Sequence, residues 1–502
     1  MRKTFNPLGI IVLSGVLFFA GCKKDTITII DDANIAVSED GTYADTEFDR
    51  TVSIVFSTGG ATVSGEGSSQ SVSISSGGVT VTNSGSEKVQ YNISGATTDG
   101  YLKIYSATQQ AVVLNSADIT NTSGAALNIQ SDEPTYIVLN GSNTLADGSS
   151  YTSTPSDEDE KAALFAEGSL VFSGSGSLTV TAKGKSGIVS DENLTVSAGS
   201  ITINSSASTF VSNGDTTKVA GVKGKKAFTI TGGTLTITCS GSGAKGISGD
   251  GTATFSGGTV DITVTGTNYG SGNSVAAKGI KFDGNINVTD GTLTVSASNH
   301  EAIESKAALN ISGGYVYATS SDDAINSYGD LTISDGCVMA HSTGNDGIDA
   351  NGNLYIKGGN ILAVSASGAE VALDANTEGG KALYITGGNI VAIGGLEQGA
   401  SISNGTAKQA SSYNKGSWYA LYNGSSVAFA FKVPSNSSMG TPMVVYTTDT
   451  PALKSGVTGS GTSFWNGNGY TGCSGGSDVS LSSYSGGNGN GNGGGPGGPG
   501  RH

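Results

Sequence analysis

The chain has 502 residues, of which 79 are Gly, 36% are hydrophobic and 13% are charged, with a formal net charge of −16. So much Gly excludes a helical protein, and the apolar fraction with its regular patterning excludes a disordered one. The acidic balance excludes nucleic acid as a partner, because phosphate binding needs a basic surface.

Met1 to Gly21 reads as a signal peptide. Arg2 and Lys3 form the basic end, and Ile10 to Phe19 is an apolar run too short to span a bilayer comfortably. Phe19-Ala20-Gly21-Cys22 resembles a bacterial lipobox, which predicts cleavage before Cys22 and lipidation of its thiol. Acyl chains there would anchor the chain to a membrane, each buried CH₂ contributing about 0.8 kcal/mol. Lys23 follows Cys22, where some lipoproteins carry an Asp that holds them at the inner membrane. The expected location is therefore the cell envelope, as an outer-membrane lipoprotein exposed on the external face. Residues 22–45 are then a tether.

From Thr51 the sequence alternates apolar and polar residues. Val52-Ser53-Ile54-Val55-Phe56, Val72-Ser73-Ile74, Ala111 to Leu114 and Tyr136 to Leu139 read as strands. Their uneven spacing predicts the first coils of a stack together with a cap that blunts its open edge. Ser156 to Glu160 reads as a solvated acidic loop.

Further on the repeat becomes regular. Ala302-Ile303-Glu304 leads to Leu309-Asn310-Ile311-Ser312-Gly313-Gly314, and Ala324-Ile325-Asn326 leads to Leu331-Thr332-Ile333-Ser334-Asp335-Gly336. Gly347-Ile348-Asp349 and Ala372-Leu373-Asp374 start two more such units. The anchors Ile303, Ile325, Ile348 and Leu373 are 22, 23 and 25 residues apart, and Ile188, Val222, Ile247 and Ile280 continue the pattern backwards. A fixed period of this size marks a solenoid, in which each repeat covers its neighbour's apolar face. Three short strands per repeat, turned at Gly-Gly or Asp-Gly pairs, predict a parallel β-helix with coils about 4.8 Å apart. The longer gaps hold inserts at coil corners, among them Val211 to Asp215 and Tyr269 to Asn273.

The domain so defined runs over residues 46–400. Beyond it, Trp418 to Tyr422 and Val427 to Phe431 form a hairpin-like pair around Asn423-Gly424, with Met443 to Tyr446 as a third strand. Residues 401–484 are thus a small all-β module, and 485–502 are a disordered Gly- and Asn-rich tail. Cys239 and Cys337 lie four coils apart, about 19 Å by the strand spacing, too far for a disulfide.

Residues in the same slot of successive coils should stand in columns. Two before each anchor come Lys245, Lys278, Glu301, Asp323 and Asp346; three before come His300, Asp322 and Asn345; one after come Glu304, Asn326, Asp349 and Asp374. Carboxylates one coil apart repel by about 3.5 kcal/mol at an effective dielectric near 20, and about 1 kcal/mol in water. A bound cation explains such an edge, and mixed carboxylate and amide oxygens suit calcium. The candidate ligands are Glu301, Glu304, Asp322, Asp323, Asn345, Asp346 and Asp349. The plain alternative is a solvated corner whose Asp and Asn side chains cap turns. Lys245 and Lys278, just below, would either pair with Glu301 or receive the carboxylate of an acidic sugar. Tyr355 and Tyr384, outward on the next strand, suit stacking on a sugar ring. Tyr317, Met339, Leu362 and Val391 form an apolar outward stripe that needs a cover, and the C-terminal module is the nearest one.

Gly187 to Leu194, Asp346-Gly347-Ile348-Asp349 and the repeated Leu-Thr-Ile-x-Gly-Gly units resemble a family of secreted carbohydrate-binding proteins. Asn140 to Leu145 and Lys161 to Ala166 are similar to that family's early coils. The resemblance spans roughly Gly59 to Gly395 and leaves out the C-terminal module. It implies a right-handed parallel β-helix similar to pectate lyases, calcium binding, and cellulose-like or polygalacturonate-like glycans. The family's Asp-Asp-Gly-Ile signature survives here at Asp322-Asp323-Ala324-Ile325 and Asn345-Asp346-Gly347-Ile348, and Lys245 or Lys278 replaces the acid in earlier coils.

The expected function is calcium-assisted binding of an acidic or cellulose-like polysaccharide by a monomeric, envelope-anchored protein. One alternative is a calcium-dependent polysaccharide lyase of pectate type, with Lys245 or Lys278 as base. Lys beside carboxylates should instead have its charge favoured, which argues for binding. A second alternative is an adhesin or structural surface repeat without a glycan ligand.

Overall fold

The computed structural model describes residues 43, 46–75, 77–152, 158–212, 214–271, 274–368, 371–435, 439–484 and 486. Cys22, the signal peptide and nearly all of the expected tether and tail lie outside the described residues. Among the described residues every regular element is a strand. The all-β expectation therefore holds.

Two large sheets carry the repeats. The 13-stranded sheet takes its strands strictly in chain order, from Gln70–Ser75 to Leu373–Ala375. After its first hairpin all its pairings are parallel, each strand lying beside the corresponding strand one repeat later. The anchors pair as the period predicts: Ile280 with Ile303, Ile303 with Ile325, Ile325 with Ile348, and Ile348 with Leu373. The second sheet pairs the remaining two runs of each repeat in the same way, as in Leu309 with Leu331 and Val316 with Val338.

Inward residues form ladders. Ile280, Ile325, Ile348 and Leu373 are each fully buried, as are Leu331, Ile333 and Val338. Burying such a side chain contributes roughly 1.5–3 kcal/mol, which the long ladder sums over many repeats. The bend between the two runs needs glycine. Gly336 has φ 97°, and a Cβ there would lie 2.8 Å from the carbonyl oxygen of Gly313 in the preceding repeat.

Both ends of the stack depart from parallel pairing. At the start, Arg50–Ser57 pairs antiparallel with Gly60–Ser64, and Gln70–Ser75 with Gly78–Asn83. At the other end, Met443–Thr447 pairs antiparallel with Asn389–Ile393 and with Thr406–Ala410. This corrects the expectation that Met443 to Tyr446 is a strand of the small module; it closes the large sheet instead. The module is a closed four-stranded antiparallel ring of Trp418–Asn423, Ser426–Lys432, Pro451–Phe464 and Gly469–Asp478. Its two long Gly- and Ser-rich strands carry no alternation that sequence reading would select.

Other local expectations change in the same direction. The insert around Val211 to Asp215 is a short hairpin, Phe210–Ser212 with Asp215–Thr217. Of the expected solvated acidic loop, Glu158 sits 2.7 Å from Lys103, and buried Glu160 accepts the Ala125 amide at 2.8 Å. Cys239, Cys337 and Cys473 are free thiols.

Candidate functional site

The strands Lys278–Phe282, Ile303–Ser305, Ile325–Ser327, Ile348–Ala350 and Leu373–Ala375 set the polar column. Strict pairing places Glu304 beside Asn326, Asn326 beside Asp349, and Asp349 beside Asp374. Lys245 likewise stands beside Lys278. The expected columns thus exist. Their exposure differs from expectation, because Lys245, Lys278, Glu301, Glu304, Asp323, Asn326, Asp346 and Asp374 are all buried. The edge is a polar seam set into the fold.

Along the seam the charges sort into two groups. In the lower one, the Lys278 ammonium lies 3.0 Å from Glu301 and 2.6 Å from Glu304. Glu304, only 2% exposed, also meets Lys306 at 2.7 Å. His300 Nδ1 contacts the Glu301 carboxylate and lies 3.0 Å from Asp322. His300 and Lys278 hold Glu301 down to about 2 against the opposing effect of burial. Burial would lower the Lys278 pKa, but Glu301 and Glu304 outweigh it and raise it. Two of the expected metal ligands, Glu301 and Glu304, are therefore met by cations of the protein itself.

Lys245 behaves differently. Its ammonium donates to the Gly243 carbonyl at 3.1 Å, and it stands one coil further from the acids. Burial, with Lys218, Lys278 and Lys281 adding repulsion, lowers its pKa to about 7. The expectation that lysine in this column keeps its charge favoured holds for Lys278 and fails for Lys245, whose carboxylate neighbours are too few.

The upper group is acidic. Asp323 accepts the Asp346 amide at 3.1 Å, and Asp346 accepts the Val371 amide at 2.8 Å, so each carboxylate ties down the backbone of the next repeat. Asn326 donates to Asp323 at 3.1 Å and to Asp349 at 2.7 Å, and Asn345 donates to Asp322 at 3.2 Å. These amides do not neutralise charge. Burial, then Asp349, Asp346 and Asp322, push the Asp323 carboxyl well above the usual range. Burial and a hydrogen bond with Glu397 push Asp374 up to about 11. Oxygen donors crowded until one must take a proton are what a hard cation would relieve. Among the described residues, however, the groups that bring three possible ligand atoms within 4.8 Å of one another are His300, Glu301 and Asp322, and Asp159, Glu167 and Asp191, so Asp323, Asp346 and Asp349 crowd one another without converging on a point.

Tyr355 and Tyr384 stack across adjacent repeats, ring centroids 5.2 Å apart and planes 11° from parallel, with the Lys357 ammonium 5.3 Å above the Tyr355 ring. Tyr384 is exposed. The apolar stripe is covered. Met339, Leu362 and Val391 pack with Leu421, Phe429, Phe431 and Trp465 of the module, and Tyr317 is partly buried against the same cluster. Trp465 also donates to the Cys337 carbonyl at 3.1 Å, and Phe464 stacks on Tyr315.

His300, which the sequence puts in the column of Asp322 without a role, stands with Glu301 and Asp322 so that their possible ligand atoms lie within 4.8 Å of one another. Lys306 and Glu397 escaped altogether. Lys306 follows the strand Ile303–Ser305 directly, and a lysine two residues from a glutamate is the signal that points to the pair. Glu397 follows the last regular repeat, where the register gives no slot.

Residues 75–243 and 209–324 match the model of a family described as carbohydrate-binding domain-containing protein. A carbohydrate-binding domain-containing protein of Acetivibrio thermocellus is 31% identical over 118 residues, which are 22% of this chain and 41% of that protein. The chain thus spans about two fifths of that relative's length. The solved structure of a polysaccharide lyase-like protein from C. thermocellum, a gadolinium derivative, aligns over 61% of this chain and 96% of that one, at 20% identity and a TM-score of 0.37. The Asp346 corner, the tyrosine pair and the C-terminal module lie beyond the stretch that the family model matches.

Proposed function

We propose that the chain is a non-catalytic polysaccharide-binding protein. In this reading the stacked sheets form a right-handed parallel β-helix solenoid, calcium occupies the acidic end of the seam, and a lipid on Cys22 holds the protein in the outer membrane. The match of residues 75–324 to a carbohydrate-binding family model carries the reading. Tyr384, exposed and stacked on Tyr355, supplies aromatic surface of the kind sugar rings use, and Lys357 beside Tyr355 a charge for an acidic glycan. The cation would draw Asp322, Asp323, Asp346 and Asp349 together, with Asn345 contributing an oxygen. When bound, it would neutralise carboxylates that otherwise repel and draw an acidic glycan toward a protein of net charge −16. Lys278 serves as a structural counter-charge to Glu301 and Glu304 in this scheme, and buried Lys245 ties down the Gly243 carbonyl.

One observation favours a second reading. A buried lysine lowered to about 7, as Lys245 is, has the pKa of a general base, which a polysaccharide lyase requires. The two readings separate cleanly. Polysaccharide retention in affinity gels, with calcium and with chelator, tests binding, and ultraviolet absorbance of unsaturated product tests lyase action. Binding requires retention that weakens in Tyr355→Ala and Tyr384→Ala variants without product. Product formation that Lys245→Met abolishes would replace the proposal with the lyase. No retention on any acidic or cellulose-like polymer, and no product, would leave the surface-repeat alternative.

A further inference from the structure

Between the stack and the C-terminal module lies a cleft of about 520 Å³. One wall is the outward face of residues 296–298, 317–321 and 339–343; the other is Lys432 to Ser435 with Asn468. The register explains why it opens there. Ser296, Thr319, His341 and Val364 occupy one column, and Thr294, Tyr317, Met339 and Leu362 occupy its neighbour. Each column turns from polar to apolar on passing beneath the module, where Leu362 and Val364 are fully buried. Tyr317 and His341 sit at the seam where cover begins. A surface that merely ended at the module would be polar up to the contact and closed behind it. Here the hydroxyl-bearing face continues under an overhang.

We propose that this cleft binds a pyranose unit of a polysaccharide chain, as a subsite separate from the tyrosine pair and the acidic seam. The inference rests on the polysaccharide-binding reading above. A sugar ring presents hydroxyls at its rim and C–H groups on its faces. The cleft offers the matching surfaces: Ser296, Thr319 and Asn468 for hydroxyls, and the Tyr317 ring and Pro434 for the C–H faces, backed by the buried Met339 and Val433. Its volume lies in the range of about 300–1,000 Å³ usual for small-ligand clefts. In a chain of net charge −16, the described residues that line it include Lys432 and no carboxylate, so a uronate ring is accepted as readily as a neutral one.

The experiment is calorimetric titration of the full chain with cellotetraose and, separately, trigalacturonate. Two variants probe the cleft. Thr319→Trp fills it from an outward, half-buried position without entering the core. Lys432→Met removes its charge. A third, Tyr355→Ala with Tyr384→Ala, probes the other surface. The expected result is about tenfold weaker binding of at least one oligosaccharide in Thr319→Trp, at an unchanged melting temperature. Lys432→Met should weaken trigalacturonate more than cellotetraose. Affinity that Thr319→Trp leaves intact while the tyrosine variant loses it overturns the cleft and spares the polysaccharide reading. If the parent protein takes up neither oligosaccharide and no polymer is retained in gels, both fall.

Discussion

Replacing Lys278 with Met is the sharpest probe of the seam. The substitution keeps the length of the side chain and removes the only ammonium that touches both Glu301 and Glu304 among the described residues. The side chains are 10%, 9% and 2% exposed, so solvent cannot replace the lost partner. Removing one member of a buried ion pair costs about 3–5 kcal/mol, because the remaining charge stays buried without its partner. Lys306 still pairs with Glu304 and His300 still contacts Glu301, which puts the expected loss near the lower end, about 3 kcal/mol. The penalty has a signature in pH. Glu301 is held at about 2, below its usual 4.5, so its contribution is present above pH 4.5 and lost as pH falls toward 2. In the variant Glu301 protonates more readily, and the gap to the parent closes below about pH 4.5. Hydrogen exchange read on Lys278–Phe282 and Ile303–Ser305 reports the local opening free energy without assuming that a long repeat array unfolds in one step. A gap under about 1 kcal/mol at pH 7, or one as wide at pH 4 as at pH 7, would refute the account of buried, uncompensated charge.

The acidic end should respond in the opposite sense. Asp323 and Asp374 have raised folded-state pKa values, so the stability they contribute is fully present below their unfolded values and falls as pH rises. In chelator, the melting temperature should therefore be higher at pH 5 than at pH 8, and calcium should flatten or reverse that slope. Asp323→Asn keeps an oxygen for the Asp346 amide and has no proton to take up on folding, so it should stabilise the calcium-free protein at neutral pH by about 1–3 kcal/mol and diminish the calcium-induced rise. Thermal melts with and without calcium decide both outcomes. Trp465→Ala should loosen the module by about 3–5 kcal/mol, since the indole is 3% exposed and bonds to Cys337. Limited proteolysis should then cut within residues 418–432 or 451–478 while the repeats persist; equal protection of both parts would count against a docked module.

The repeats were legible because a two-residue alternation closed by Gly-Gly or Asp-Gly gives each residue an inward or outward slot. Ile303, Ile325, Ile348 and Leu373 fell into one ladder on that rule alone. Burial of the polar column was not legible. Sequence gives the side on which Glu304 lies but not that Lys278 and Lys306 fold over it. The module was half legible: Trp418–Asn423 and Ser426–Lys432 alternate clearly around Asn423-Gly424, whereas Pro451–Phe464 and Gly469–Asp478 are strands by pairing, not by composition. Met443–Thr447 reads as a strand in any context, and only the free edge of Asn389–Ile393 determines which sheet it joins.

That last pairing has a bearing on how such chains change in length. A row of parallel strands leaves hydrogen-bonding groups open at either extreme, and here antiparallel segments flank both extremes of the larger sheet, Gly60–Ser64 at one and Met443–Thr447 at the other, while the Gln70–Ser75 hairpin begins the 13-stranded one. End-to-end joining of two molecules through those borders is thereby obstructed. Whole units can still be gained or lost between the two stoppers without disturbing either. Relatives of this protein should then vary in the number of interior units while keeping similar terminal pieces.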